Sequence, residues 1–212
     1  MGNALKTVTT YLWGTEQQKV LALGLDMAGK TTLVYQLVNN VVAPQPMPFS
    51  CAETVVYKHL VISAWDLDGL IGNSSAVRRR LALLRSFYPT TRGVVFVVDA
   101  SDVDRMVQTR PWIHRILSEG DLRNVPVLVI ANKQDLPGAL PPEQVAELLH
   151  LSPTGSSMVS SVASSSSSMT SSVKSSSSLP VGSLQNWHVE GCCALHRDQV
   201  VEAFGWLEAA LR

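Results

Sequence analysis

The chain has 212 residues, 46% of them hydrophobic, with 17 basic side chains balancing 17 acidic ones. That length suits one well-buried α/β domain, expected to be a monomer, and excludes two domains of comparable size; zero net charge without a long basic tract argues against nucleic acid as a main partner. Three cysteines, two of them adjacent as Cys192 and Cys193, give neither metal-ligand spacing nor a disulfide framework, which points to a reducing compartment.

In chain order, residues 1–16 place Leu5, Val8, Tyr11, Leu12 and Trp13 on roughly one face of a helix, with no acidic residue before Glu16, so an amphipathic segment at a membrane surface is expected. No secretory signal and no spanning stretch is read, so membrane contact is expected to be peripheral. Val20 to Leu23 is an apolar run, read as a buried strand. It feeds Gly24-Leu25-Asp26-Met27-Ala28-Gly29-Lys30-Thr31, the GxxxxGK[ST] phosphate loop. Its glycines let backbone N–H groups turn in on a phosphate, Lys30 supplies positive charge between the terminal phosphates, and Thr31 puts a hydroxyl on Mg²⁺. Leu33, Val34, Leu37 and Val38 follow at helical spacing, so a helix N-terminus also faces the anion.

Val41 to Ala52 carries Pro44, Pro46 and Pro48 and reads as a loop. Glu53 to His59 and Leu60 to Trp65 read as a hairpin ending at Asp66. Asp66-Leu67-Asp68-Gly69 is a DxxG pattern, with Asp66 expected to hold Mg²⁺ through water and the Gly69 N–H to meet a γ-phosphate. Gly72, Asn73, Ser74 and Ser75 then predict a flexible stretch within 71–80, and Arg78 to Arg80 read as a solvated loop ahead of a helix ending near Phe87. Gly93 to Asp99 predicts a central parallel strand. Asp104 to Glu119 predicts a helix burying Met106, Ile113, Ile116 and Leu117, kinked or started late because of Pro111.

Val125 to Ala131 is another apolar strand. It runs into Asn132-Lys133-Gln134-Asp135, an NKxD arrangement. Guanine offers two donors on one edge, so one carboxylate, Asp135, accepts from both; Asn132 fits the O6/N7 side and the Lys133 stem lies along the base. Pro142 to His150 predicts a helix with Val145, Leu148 and Leu149 inward. Residues 152–183 are about half Ser and predict a disordered insertion in a domain made of 17–151 and 184–212. Gln185 to Cys193 reads as the last strand, and Asp198 to Leu211 as a closing helix with Val201, Phe204, Leu207 and Leu211 inward. Alternating strands and helices around a phosphate loop point to a doubly wound α/β sheet, with the nucleotide at the carboxyl ends of the strands.

With its GLDxAGKTT loop, Trp65-Asp66, VVFVVDA at 94–100 and ANKQDLP at 131–137, the chain resembles the ADP-ribosylation factors and their Arf-like relatives. Tyr35-Gln36, Trp187-His188 and Gly191-Cys192-Cys193-Ala194-Leu195 lean towards the ADP-ribosylation factor-like protein 5 subgroup. The resemblance implies a P-loop small-GTPase fold with a mostly parallel six-stranded sheet and helices on both faces. It also implies a cofactor set of GTP or GDP with Mg²⁺. Gly24, Asp26, Ala28, Gly29, Lys30, Thr31, Thr32, Gly69, Asn132, Lys133, Asp135, Cys193 and Ala194 are expected to hold the nucleotide, the Ala194 N–H meeting guanine O6. Thr31 and Asp66 are expected to serve the metal. Gly2 is the implied myristoylation site, although Lys6 stands where Ser or Thr is preferred. Membrane traffic, with the Golgi as the candidate membrane, and effector contacts at Trp65 and Phe87 complete the implication, a core position being the alternative for Trp65.

Three departures bear on the γ-phosphate. Met47 stands where relatives ligate Mg²⁺ with Thr, and a thioether cannot replace that hydroxyl on a hard cation; a register shift that puts Ser50 or Thr54 in the role is the alternative. Leu70 stands where relatives orient the attacking water with Gln, so no catalytic residue is assigned. Asp68 replaces a second Gly and adds negative charge beside the γ-phosphate site. The expected function is therefore an Arf-like guanine-nucleotide-binding protein with weak or absent GTP hydrolysis. A scaffold that holds GDP or no nucleotide and does not switch is the alternative.

Overall fold

The computed structural model describes residues 17–38, 52–70, 73–151 and 186–212. The N-terminal segment expected to be amphipathic, with Gly2, the expected loop with Met47 and Ser50, Gly72, and the expected Ser-rich insertion lie outside the described residues. In chain order the elements are β1 (Gln18–Gly24), α1 (Lys30–Leu37), β2 (Ala52–Tyr57), β3 (Leu60–Asp66), α2 (Ser75–Arg85), β4 (Thr91–Asp99), α3 (Val103–Leu117), β5 (Val127–Asn132), α4 (Pro142–Leu148), β6 (Trp187–Gly191) and α5 (Arg197–Ala210).

They build one six-stranded sheet in the order β2-β3-β1-β4-β5-β6. Only β2 and β3 pair antiparallel; every other neighbouring pair is parallel. Period-two alternation along the buried strands divides the core. Leu21, Leu23, Val94, Phe96 and Val98 face one layer with Leu84 of α2, Met106 and Ile113 of α3 and Val145 of α4. Val20, Ala22, Val95 and Val97 face the other, with Leu33 and Leu37 of α1 and Phe204 and Leu207 of α5. Each of these larger side chains, Ala22 aside, contributes roughly 1.5–3 kcal/mol by leaving water, so burial on both faces is what makes the parallel sheet stable.

The register positions the site. Gly24 at the end of β1 pairs with Asp66 at the end of β3, and Asp99 at the end of β4 pairs with Asn132 at the end of β5. Order reverses at β1, with β2 and β3 on one side of it and β4 on the other, and this opens a crevice at the strands' carboxyl ends.

Four expectations are corrected. Ala52, assigned to the loop, opens β2. Arg78 to Arg80 are helical: Ser74 caps α2 by accepting from the Val77 N–H at 3.2 Å, and Arg78 Nη1 donates to Asn73 O at 2.8 Å, so the Ser-rich run starts a helix. Of the two outcomes expected for Pro111, the late start does not occur: the helix runs from Val103 through an exposed Pro111. In α5 the fully buried valine is Val200, with Val201 half-buried, a phase error of one residue. At the far edge, Lys58 turns the β2–β3 hairpin at φ 52° and its Nζ lies 2.7 Å from Glu208 Oε1 of α5. Among the described residues no helix is long and apolar enough to cross a membrane.

Candidate functional site

β1 delivers the chain to Gly24, where an added Cβ would stand 2.2 Å from the Val97 carbonyl oxygen, so only glycine lets the loop leave between β1 and β4. The loop ends at Gly29, the N-cap of α1, in a left-handed conformation at φ 96° and without a side-chain cap. The first amides of α1 are thus not engaged by a cap and point out of a helix N-terminus, the arrangement that binds phosphate. Thr31 and Thr32 are exposed on that first turn.

Lys30 is 5% exposed, and its ammonium lies 2.5 Å from the Leu25 carbonyl and 2.5 Å from Asp66 Oδ1. A buried ammonium needs such partners, and Asp66, more than half exposed, can turn to a cation when phosphate takes its place on Lys30. Thr31 and Asp66 are hard oxygen donors suited to Mg²⁺, which keeps waters and phosphate oxygens in most of its positions. Among the described residues no group of three or more His, Cys, Asp or Glu could hold a metal.

At the base end, Asn132 is 1% exposed and uses both ends of its amide inside the protein. Nδ2 donates to Ala28 O at 2.8 Å, and Oδ1 accepts from the Ala194 N–H at 2.8 Å. The Ala194 amide, expected to face guanine, here donates to Asn132, and Asn132 ties the phosphate loop to the base loop. Lys133, at φ 65°, pairs with Asp99 at 2.6 Å. Burial alone would push the Asp99 carboxyl up, but hydrogen bonds from Lys133 and Ser101 outweigh it and hold it below the usual carboxylate range. Asp135 is exposed, and the Cys193 thiol beside it holds its carboxyl low. Cys193 is buried at the residue level, with its backbone N–H donating to Gln199 Oε1 at 2.8 Å. A charged carboxylate facing solvent next to a half-buried Lys133 stem is the arrangement a purine with two adjacent donors requires.

The opposite end is closed from within. Asp68 and Gly69 lie in a 3-10 turn, Asp68–Leu70, and the Asp68 carboxylate accepts the Asp26 N–H of the phosphate loop. Arg105, from the first turn of α3, pairs with the Asp26 carboxylate, donates to Asp26 O at 3.3 Å and reaches Asp68 Oδ2 at 3.5 Å. Its guanidinium holds the Asp26 carboxyl below the usual range. Sequence reasoning missed Arg105; the available signal was a cation at a helix N-terminus, where the dipole disfavours it. Leu70 is 3% exposed in the core beside Trp65, Leu67 and Leu84. Thr54 does not approach this end: its hydroxyl meets Ser63 Oγ at 3.1 Å across the β2–β3 pair. Trp65, expected on an effector surface, is 2% exposed and meets half-buried Phe87 edge-on with ring centroids 5.3 Å apart.

Residues 5–211 match the model of the ADP-ribosylation factor family. Among curated proteins, ADP-ribosylation factor-like protein 1 of Saccharomyces cerevisiae is 40% identical over 167 residues, which cover 78% of this chain and 87% of the relative.

Proposed function

Because the chain belongs to the ADP-ribosylation factor family, we propose that this GTP-binding protein holds guanine nucleotide with Mg²⁺, favours GDP, and hydrolyses GTP weakly or not at all. The observation that carries the reading is the burial of Leu70: the residue after DxxG is a hydrocarbon 3% exposed in the core, where it can position no water. Phosphoryl transfer depends on positioning and electrostatics, so loss of that group lowers the rate by orders of magnitude.

In this reading the α1 N-terminus and Lys30 take the inner phosphates, Asp135 reads the guanine edge, the Lys133 stem lies along the base, and Asn132 holds the two loops in register. Cys193 and Ala194 shape the base loop, while Thr31 and Asp66 hold the Mg²⁺ that comes with the phosphates. Residues 1–16, acylated at Gly2, attach the protein peripherally to a membrane of the trafficking system, the Golgi being the one to examine. Partners engage through Phe87 and neighbouring surface rather than through buried Trp65.

The test is to purify the chain without added nucleotide, denature it and identify the released nucleotide by chromatography, with Lys30→Ala and Asp135→Ala alongside. Near-stoichiometric GDP, lost in both variants, is the expected result, together with GTP turnover at least a hundredfold below that of a Gln-bearing relative. A folded protein that carries and accepts no guanine nucleotide would overturn the reading.

A further inference from the structure

We infer that Asp68 is a built-in competitor of the terminal phosphate: its carboxylate occupies the Asp26 N–H of the phosphate loop and thereby makes this chain select a guanine nucleoside diphosphate over the triphosphate. The inference rests on the nucleotide reading above and names the residue that sets the preference within that site.

The direction of the bound nucleotide follows from the two ends of the loop. Asn132 grips the loop at Ala28 and links it to the base loop at Ala194, so the base end adjoins the Ala28–Gly29 side. Asp26 stands at the other side, with Asp66 at the neighbouring strand end and Asp68 on its amide. A nucleotide laid from Asp135 across the N-terminus of α1 therefore ends near Asp26, and a third phosphate would seek the N–H that Asp68 already holds.

The occupant is well matched to the position. A carboxylate oxygen on a backbone N–H reproduces the charge-assisted bond that a phosphate oxygen would make. It is tethered by the short turn Asp68–Leu70, and buried Leu70 anchors that turn in the core, so its effective concentration at the amide is high without any ligand in solution. Arg105 supports it by spanning Asp26 and Asp68, with Nη2 3.5 Å from Asp68 Oδ2. A diphosphate leaves this arrangement undisturbed. A triphosphate must displace Asp68 or lie against its charge, and either route weakens it selectively. By linkage, any triphosphate that does bind pulls Asp68 and the turn off the loop, so the same contact couples the third phosphate to the segment after β3.

The experiment measures equilibrium affinities of the full chain, stripped of nucleotide and supplied with Mg²⁺, for fluorescent GDP and a fluorescent non-hydrolysable GTP analogue. Wild type is compared with Asp68→Asn, which keeps shape and removes charge, and Asp68→Gly, which removes the side chain. Both variants are expected to bind the triphosphate analogue about tenfold more tightly or better, while GDP affinity shifts by less than about threefold; tenfold corresponds to about 1.4 kcal/mol. An unchanged triphosphate-to-diphosphate ratio with GDP binding intact would refute the inference and leave the nucleotide reading standing. Equal loss of both nucleotides in the variants would also refute it, by making Asp68 a structural residue. Failure of wild type to bind either nucleotide would overturn the nucleotide reading and this inference together.

Discussion

Gly29→Ala tests whether Asn132 is the tie between the two halves of the site. At φ 96° an alanine is strained by roughly 1–2 kcal/mol. Its Cβ would also stand 2.2 Å from Asn132 Nδ2, so that side chain must leave. Asn132 then loses its bonds to Ala28 O and from the Ala194 N–H, both 2.8 Å, inside a residue environment 1% exposed. Two net hydrogen bonds at about 1 kcal/mol each, and the cost of leaving buried partners unpaired, bring the second contribution to roughly 2–4 kcal/mol. Gly29→Ala alone should therefore cost about 3–6 kcal/mol, and Asn132→Ala alone about 2–4 kcal/mol for the same lost bonds. The two losses overlap. The double variant should cost no more than about 3–6 kcal/mol, a coupling of about 2–4 kcal/mol in the cycle, equal to the shared loss. Urea unfolding of nucleotide-free protein, followed by tryptophan fluorescence, reads all four corners, with trimethylamine N-oxide added where a variant is otherwise unfolded. Additive costs within about 0.5 kcal/mol would refute the reasoning, because Gly29 would then be needed only for its backbone angle.

Three further outcomes are expected. Pro111→Ala should raise stability by about 1–3 kcal/mol, since the proline is exposed inside a continuous α3 and removes one helix hydrogen bond; an unchanged or lower melting temperature would mean that its rigidity in the unfolded chain outweighs that loss. Lys58→Met should cost about 1 kcal/mol in urea unfolding and less in high salt, because half-exposed Lys58 is the partner of nearly buried Glu208; no change would mean that the pair contributes nothing net. Stability should fall on the alkaline side. Burial pushes the Cys192 thiol up to about 12 from 9.0 and the Tyr88 hydroxyl up to about 12 from 10.0, so the unfolded chain releases these protons first. Their stabilisation is complete below about pH 9 and declines towards pH 12, by up to about 1.4 kcal/mol per pH unit for each group. Cys192→Ala should flatten the pH 9–10 part of the curve, and an unchanged slope there would refute the assignment.

What the sequence made legible was whatever a single segment determines. β1, β4 and β5 are apolar runs buried on both faces, which fixes them as central strands regardless of what they pair with. The phosphate loop follows one of them and the NKxD run another, so local pattern already placed both ligand-binding turns at the same end of a sheet. Helix limits were less legible. Nothing in the run 72–75 distinguishes a flexible link from a cap until Ser74 finds the Val77 N–H, and Val200 and Val201 differ by one position on α5. Least legible were contacts made across the fold. Arg105 lies 79 residues from Asp26, and beyond the unfavourable placement of a cation at a helix N-terminus nothing in either neighbourhood announces their meeting.

Asn132 and Asp68 make contacts that residue type alone does not reveal. An asparagine in a guanine-reading run suggests contact with the base, yet a carboxamide at 1% exposure must satisfy a donor and an acceptor inside the protein, and Ala28 and Ala194 meet that need. An aspartate beside a phosphate site suggests repulsion through space, whereas here it has a specific seat on the Asp26 amide. Leu70 connects the two levels. In the proposed reading it removes, as a residue type, a polar group from the reaction; as a buried side chain it draws the Asp68–Leu70 turn against the core, where the Asp68 carboxylate meets the phosphate loop. Leu70→Gln would then do more than return a polar group: a glutamine disfavours that core seat, which should loosen the turn and raise triphosphate affinity even where hydrolysis is not restored. Triphosphate binding unchanged in a folded Leu70→Gln protein would separate the two roles and show that Asp68 keeps its place without the buried leucine.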